Sequence, residues 1–179
     1  MTPFEFARSL ADAAPSVAAL QSVGLSRAGA MNFREGFLSS KREAPLGISA
    51  SDEIRKLMNE WDVSHVEIGL VRLLGSPIPL EHGAQVGVVE TDPLVVLSGS
   101  GELLVEELDT NGHVLWHVAE NSGRFLEAIL AAAKMLGDRA IGAVDYDDME
   151  AARRDAQECA KLAGGAKYLD FYLMLFAAE

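Results

Sequence analysis

The sequence predicts an α+β fold, with a mainly antiparallel sheet of about five to six strands flanked by helices and a C-terminal helical extension. Three observations carry this prediction. The middle of the chain is a series of short segments rich in valine and leucine: His65 to Leu74, Gln85 to Glu90, Leu94 to Ser98, Glu102 to Leu108 and Val114 to Val118. These segments follow one another through short links of Gly, Pro, Asn or Asp, which favours antiparallel neighbours. On both sides of this region the apolar residues recur at helical spacing. The 179 residues are read as one domain, in which 1–50 is an N-terminal helix and irregular segment, 51–137 the sheet-containing core and 138–179 the helical extension.

The first helix is expected over Pro3 to Ala14. Thr2 and Glu5 can form a reciprocal cap, Pro3 sits where its missing N–H costs nothing, and Phe6, Leu10 and Ala13 share a face. This start lacks the basic leader of a signal peptide, so a cytoplasmic chain is expected. Ser16 to Val23 reads as a short second helix, whereas Leu25 to Gly47 reads as a long irregular connection. A helix beginning near Ser51 carries Ile54, Leu57, Met58 and Trp61 on one face and should run to about Asp62.

Asn111-Gly112 marks a hairpin turn between two of the strands, because Asn-Gly accepts the positive φ angles of a tight reversal. Past the strands, Asn121 can cap a helix from Ser122 to Leu136 that stops at Gly137. Another helix starts at Asp147-Asp148-Met149-Glu150 and closes at Gly164-Gly165. The stretch from Lys167 to Ala178 is almost wholly apolar and lacks β-branched residues, which favours a buried helix over a central strand. No run is long and apolar enough to be expected to span a membrane.

Composition narrows the function classes. Lys and Arg total 15 against 27 Asp and Glu, for a net charge of −12, and mean hydropathy is +0.13. Such a charge repels phosphate backbones, so no nucleic-acid partner is expected. A single cysteine, Cys159, excludes a disulfide framework and reads as a small buried hydrophobe.

No local motif for catalysis, cofactor or metal emerges, so the protein is expected to be non-enzymatic and without a cofactor. His113 and His117 would share a strand face about 13 Å apart at roughly 3.3 Å per residue, too far for one zinc ion. His65 and His82 have no ligand-spaced partner. The acids Asp145, Asp147, Asp148 and Glu150 lack the glycine and glutamate of a calcium loop and suit a helix start instead. Gly99-Ser100-Gly101 is too short for a phosphate loop, and no nucleophile elbow is present.

One charge asymmetry stands out. Between Arg72 and Arg124 there is no lysine or arginine, while Glu81, Glu90, Asp92, Glu102, Glu106, Glu107, Asp109 and Glu120 all fall there. Either these acids make a solvated face that blunts edge pairing, or they form a docking surface for a cationic partner.

The order of strands adds a resemblance. Gly101-Glu102-Leu103-Leu104-Val105 is followed by a hairpin and then by His113-Val114-Leu115-Trp116-His117-Val118-Ala119-Glu120-Asn121-Ser122-Gly123-Arg124-Phe125-Leu126. This resembles the SUKH superfamily (Smi/Knr-like proteins), in which a Gly-led strand and a Trp-containing strand precede a helix opening Ala-Asp-Ser-Phe-x-x-Phe-Leu. The match covers residues 51 to 137, with Ser122 in the place of the pattern's first Phe. The resemblance implies a curved sheet flanked by helices. It also implies a role like that of the many bacterial members that bind and neutralise a cognate toxin, often a nuclease. No catalytic residues carry over. A basic protein toxin is then the expected partner, and Glu90, Asp92, Glu102, Glu106, Glu107 and Asp109 are the candidate contact residues. Two alternatives stand beside this reading. One is a small-molecule or enzymatic pocket near His113, Trp116 and His117; the other is a structural homodimer through the apolar tail Tyr168–Phe176.

Overall fold

The computed structural model describes residues 1–49, 51–110 and 112–178. It is an α+β structure. Helices α1 (Pro3–Ala13), α2 (Val17–Ser22) and α3 (Arg27–Glu35) lead into a two-residue strand β1 (Ser40–Lys41), helix α4 (Glu53–Glu60) and strand β2 (Trp61–Asp62), which pairs with β1. Six strands follow: β3 (Glu67–Ile68), β4 (Val71–Leu80), β5 (Gly83–Val89), β6 (Asp92–Leu97), β7 (Leu103–Glu106) and β8 (Val114–Ala119). They form one antiparallel sheet in chain order, a meander in which every strand lies beside its sequence neighbour. Helices α5 (Ser122–Ala140) and α6 (Met149–Ala163), a 3₁₀ turn (Ala166–Tyr168) and α7 (Leu169–Leu175) complete the chain.

Local chemistry accounts for most of the helix starts. Thr2 Oγ1 accepts from Glu5 N at 3.2 Å while Thr2 N donates to Glu5 Oε2 at 2.8 Å, closing the reciprocal cap. Asp52, Asn121 and Asp148 accept in the same way from Arg55 N, Arg124 N and Ala151 N at the starts of α4, α5 and α6. The C-terminal segment is helical, and Phe171, Tyr172 and Leu175 are buried.

Four local expectations are corrected. Residues 25–47 contain a helix, because Ser26 caps Gly29 N and starts α3 despite the glycines in this stretch. The single strand foreseen over His65 to Leu74 is two strands turning at Gly69-Leu70. Gly69 has φ +58, and a Cβ there would stand 3.0 Å from Leu175 Cδ1 and 3.1 Å from Leu136 Cδ1, so the turn is packed as tightly as it is bent. Strand β4 runs on to Leu80 through Pro77 and Pro79. Ile78 and Leu80 pair with β5, and their backbone groups alternate in direction with those of Pro77 and Pro79. The missing N–H groups therefore fall on the free edge of the sheet, where they block further strand pairing. Finally, α5 continues past Gly137 to Ala140. Gly137 is a contact point for Pro15, whose Cγ would lie 3.2 Å from an added Cβ, rather than a helix stop. Asn111 of the expected Asn-Gly turn lies outside the described residues.

One face of the sheet carries the main core. Leu73, Val86, Leu94, Val96, Leu103, Val105 and Val118 pack with Phe125, Leu126 and Ile129 of α5, Ile54, Leu57 and Met58 of α4, and Phe6 and Leu10 of α1. The C-terminal helices join the same cluster through Cys159, Tyr168, Phe171 and Tyr172. Tyr168, Phe171, Tyr172, Leu175 and Phe176 are thus buried within their own chain, so the apolar demand that suggested a homodimer is met internally.

The other face of the sheet is separate. Gln85, Val95, Leu104 and His117 are successive cross-strand partners and none belongs to the main cluster. Val95 and Leu104 are nevertheless buried. This face is where the acids collect.

Candidate functional site

Strand β7 alternates between the two faces. Leu103 and Val105 point into the core, so Leu104 and Glu106 point outward, and the chain then reverses towards β8. Across the sheet, the turn between β4 and β5 brings Glu81 and His82 to the same side. The result is a groove of about 720 Å³ whose lining includes Glu81, His82, Glu106, Glu107 and Asp109 above an apolar floor of Leu97 and Leu104. No lysine or arginine lines it among the described residues. Four carboxylates with no lysine or arginine among the described lining residues give the groove a negative field.

The candidate acids have different fates. Glu106 is 8% exposed and its Oε1 lies 2.7 Å from His82 Nε2, which pins the carboxylate against the sheet. Glu107 is exposed and lies 3.2 Å from His113 Nδ1. Asp109 is exposed, in the left-handed conformation at φ +64, at the rim. Asp92 stands beside this group, and its Oδ1 accepts from Leu108 N at 2.9 Å, bracing the β7–β8 connection. Glu90 is exposed in the turn between β5 and β6, with φ +55 and its N–H donating to Leu70 O, and it is not among the groove residues.

Glu102 departs furthest from a free docking charge. It stands four residues before Glu106, just ahead of β7, and its Oε1 accepts from Lys167 Nζ at 2.6 Å and from His117 Nδ1 at 2.8 Å. Burial pushes its carboxyl pKa up, but the two hydrogen bonds and the charges of Lys167 and His117 outweigh that and hold it below the usual carboxylate range. The same hydrogen bond to Glu102 pushes Lys167 up. Glu102 is therefore a structural anchor.

The alternative trio does not converge. Trp116 is half-buried against the core beside Val105, while His117, its neighbour in the strand, faces the opposite side. His113 precedes β8, exposed at Glu107. Register shifts at both ends of the β7–β8 pairing put Val118 and Ala119 together in the core and leave Val114 exposed, where simple alternation would have buried it. Among the described residues no three His, Cys, Asp or Glu side chains are grouped as a metal ion would need, and no helix is long and apolar enough to cross a membrane.

Sequence reasoning passed over Glu81 and His82 as site residues. Their place in the groove depends on the β4–β5 turn lying across the sheet from Glu106, 24 residues away, and no local pattern signals that. It also missed that three of the four histidines each sit against one of the candidate glutamates.

No protein-family model, curated protein or solved structure matches the chain.

Proposed function

We propose that the protein is a non-catalytic binding protein of immunity type, similar to the SUKH superfamily, that acts in the cytoplasm and neutralises a basic protein toxin on its acidic sheet face. The observation that carries this reading is the groove in which Glu81, Glu106, Glu107 and Asp109 gather with no lysine or arginine among the lining residues. A nuclease toxin is basic where it holds phosphate, and a surface of this charge occupies that site by complementarity, speeding capture and excluding the nucleic acid. The apolar floor of Leu97 and Leu104 supplies desolvated contact beneath the charged rim.

The test is co-expression with a basic toxin domain encoded beside this protein, read by growth of the host and by binding of the purified pair. The protein restores growth, and its affinity falls by about tenfold or more as salt rises from roughly 50 to 300 mM. Reversing the exposed charges Glu81→Lys and Glu107→Lys together abolishes protection without lowering the melting temperature; Asp109 is left intact because its left-handed backbone at φ +64 disfavours a lysine. Glu106 is left intact, because reversing a buried carboxylate would confound binding with folding. Protection and affinity unchanged by the double reversal would refute the groove as the docking surface.

A further inference from the structure

A second cavity, of about 560 Å³, lies between the end of α3, strand β3, the start of β4 and the C-terminal part of α5. That volume is within the range of sites that hold small molecules. Its walls are of two kinds. Phe33, Phe37, Ile68 and Leu136 make an apolar side, on which the rings of Phe33 and Phe37 pack with centroids 5.5 Å apart. Glu35, Glu67 and Arg72 bring charge to the rest of the lining.

These three charges are uncommitted. Arg139 also reaches the cavity, but its buried guanidinium is neutralised by Asp155 at 2.9 Å. By contrast, Glu35, Glu67 and Arg72 make no ion pair within 4.0 Å among the described residues. Glu67 and Arg72 are direct cross-strand partners in the β3–β4 ladder, a position where opposite charges commonly join. Here each keeps its charge while both line the same cavity.

A ligand that answers both must carry both signs close together. Cross-strand partners hold their Cβ atoms about 4.5–5.5 Å apart, so the flexible charged ends of Glu67 and Arg72 can both reach one small ligand that bears an ammonium and a carboxylate. We propose that this cavity binds a free α-amino acid with an apolar side chain. Arg72 receives the carboxylate with its planar fork of donors, Glu67 receives the ammonium, and the side chain lies against Phe33 and Phe37. Glu35 adds a second negative charge to the lining, which turns away simple carboxylic acids. The site is separate from the acidic groove and does not rest on the toxin-binding reading.

The test uses the intact protein and L-phenylalanine as probe, by calorimetry or by chemical-shift titration. Two analogues dissect the recognition: 2-phenylethylamine lacks the carboxylate and 3-phenylpropanoate lacks the ammonium. Phenylalanine binds saturably and both analogues bind at least about tenfold more weakly, the factor expected when one well-made charged contact is lost. Arg72→Gln removes the preference over 2-phenylethylamine, and Glu67→Gln reduces the preference over 3-phenylpropanoate to what Glu35 alone supplies. Both residues are exposed, so the melting temperature stays within a degree or so of the parent's. The proposal fails if phenylalanine shows no saturable binding up to about 10 mM, if either analogue binds as well as phenylalanine, or if the two variants leave both preferences unchanged.

Discussion

Lys167 Nζ donates to Glu102 Oε1 across 2.6 Å, and this contact ties the 3₁₀ turn ahead of α7 to the loop that opens β7. His117 of β8 reaches the same oxygen at 2.8 Å. The last strand of the sheet is thereby locked between its neighbour and the C-terminal segment, and Glu120 N adds a bond to Ala163 O at 2.8 Å. A strand at the edge of a sheet is otherwise exposed to unwanted pairing, and the C-terminal segment covers this one.

The Glu102 contact sets a pH dependence. A carboxyl held low stabilises the folded chain above the ordinary carboxylate range and loses that contribution as pH falls through its folded value. A lysine held high contributes below the ordinary lysine range and loses its share as pH rises through its own folded value. The contact therefore acts fully between about pH 5 and pH 10. Glu102→Gln is expected to cost about 1 kcal/mol near pH 7, because Lys167 and His117 are half-exposed and solvent screens the contact. The gap in melting temperature between parent and variant should close below about pH 4, and a pH series of thermal melts measures this.

Arg139 and Asp155 make a different kind of pair. The Arg139 side chain is 4% exposed, and Asp155 is its carboxylate partner at 2.9 Å. Asp155→Ala leaves a buried guanidinium without its counter-charge and is expected to lower stability by about 3 kcal/mol. Replacing both partners, Arg139→Met with Asp155→Leu, should recover most of that loss. Urea denaturation of the parent and the two variants decides it.

Tyr172 carries a cost inside the core. It is fully buried, and its hydroxyl has no hydrogen-bond partner among the described residues. Removing that hydroxyl in Tyr172→Phe should raise stability by about 1 kcal/mol. A denaturation midpoint that falls instead would show that the hydroxyl is bonded in solution.

Cys159 should be chemically silent. Its thiol is buried 3.9 Å from Met135 Sδ, and burial, helped by the charges of Asp155 and Glu158, pushes its pKa up to about 12. A thiol held protonated is a poor nucleophile. Labelling with an aromatic disulfide reagent at pH 8 should then proceed only at the rate of unfolding, and become immediate in denaturant.

Much of the fold is legible in the chain because it is set within a few residues. Thr2 and Glu5, Asn121 and Asp148 fix helix starts through bonds three residues long. The punctuated run from His65 to Val118 leaves an antiparallel meander as the natural arrangement. The errors arose where one local signal had two uses. Gly137 could stop a helix or admit Pro15, and Pro77 and Pro79 could end a strand or sit along its free edge.

The sequence by itself determined most of the helices and strands and that one span of the sheet lacks cations, because periodicity and composition are local properties. Only the tertiary structure decided what each carboxylate meets. Glu102 is spent on Lys167, 65 residues on in the chain, Glu106 is held by His82, and Glu107 and Asp109 face an open groove. These fates follow from strand register, from the bulges in β7–β8 and from the docking of the C-terminal helices. Each of these is settled by burying a shared core, a global condition that no short stretch of residues encodes.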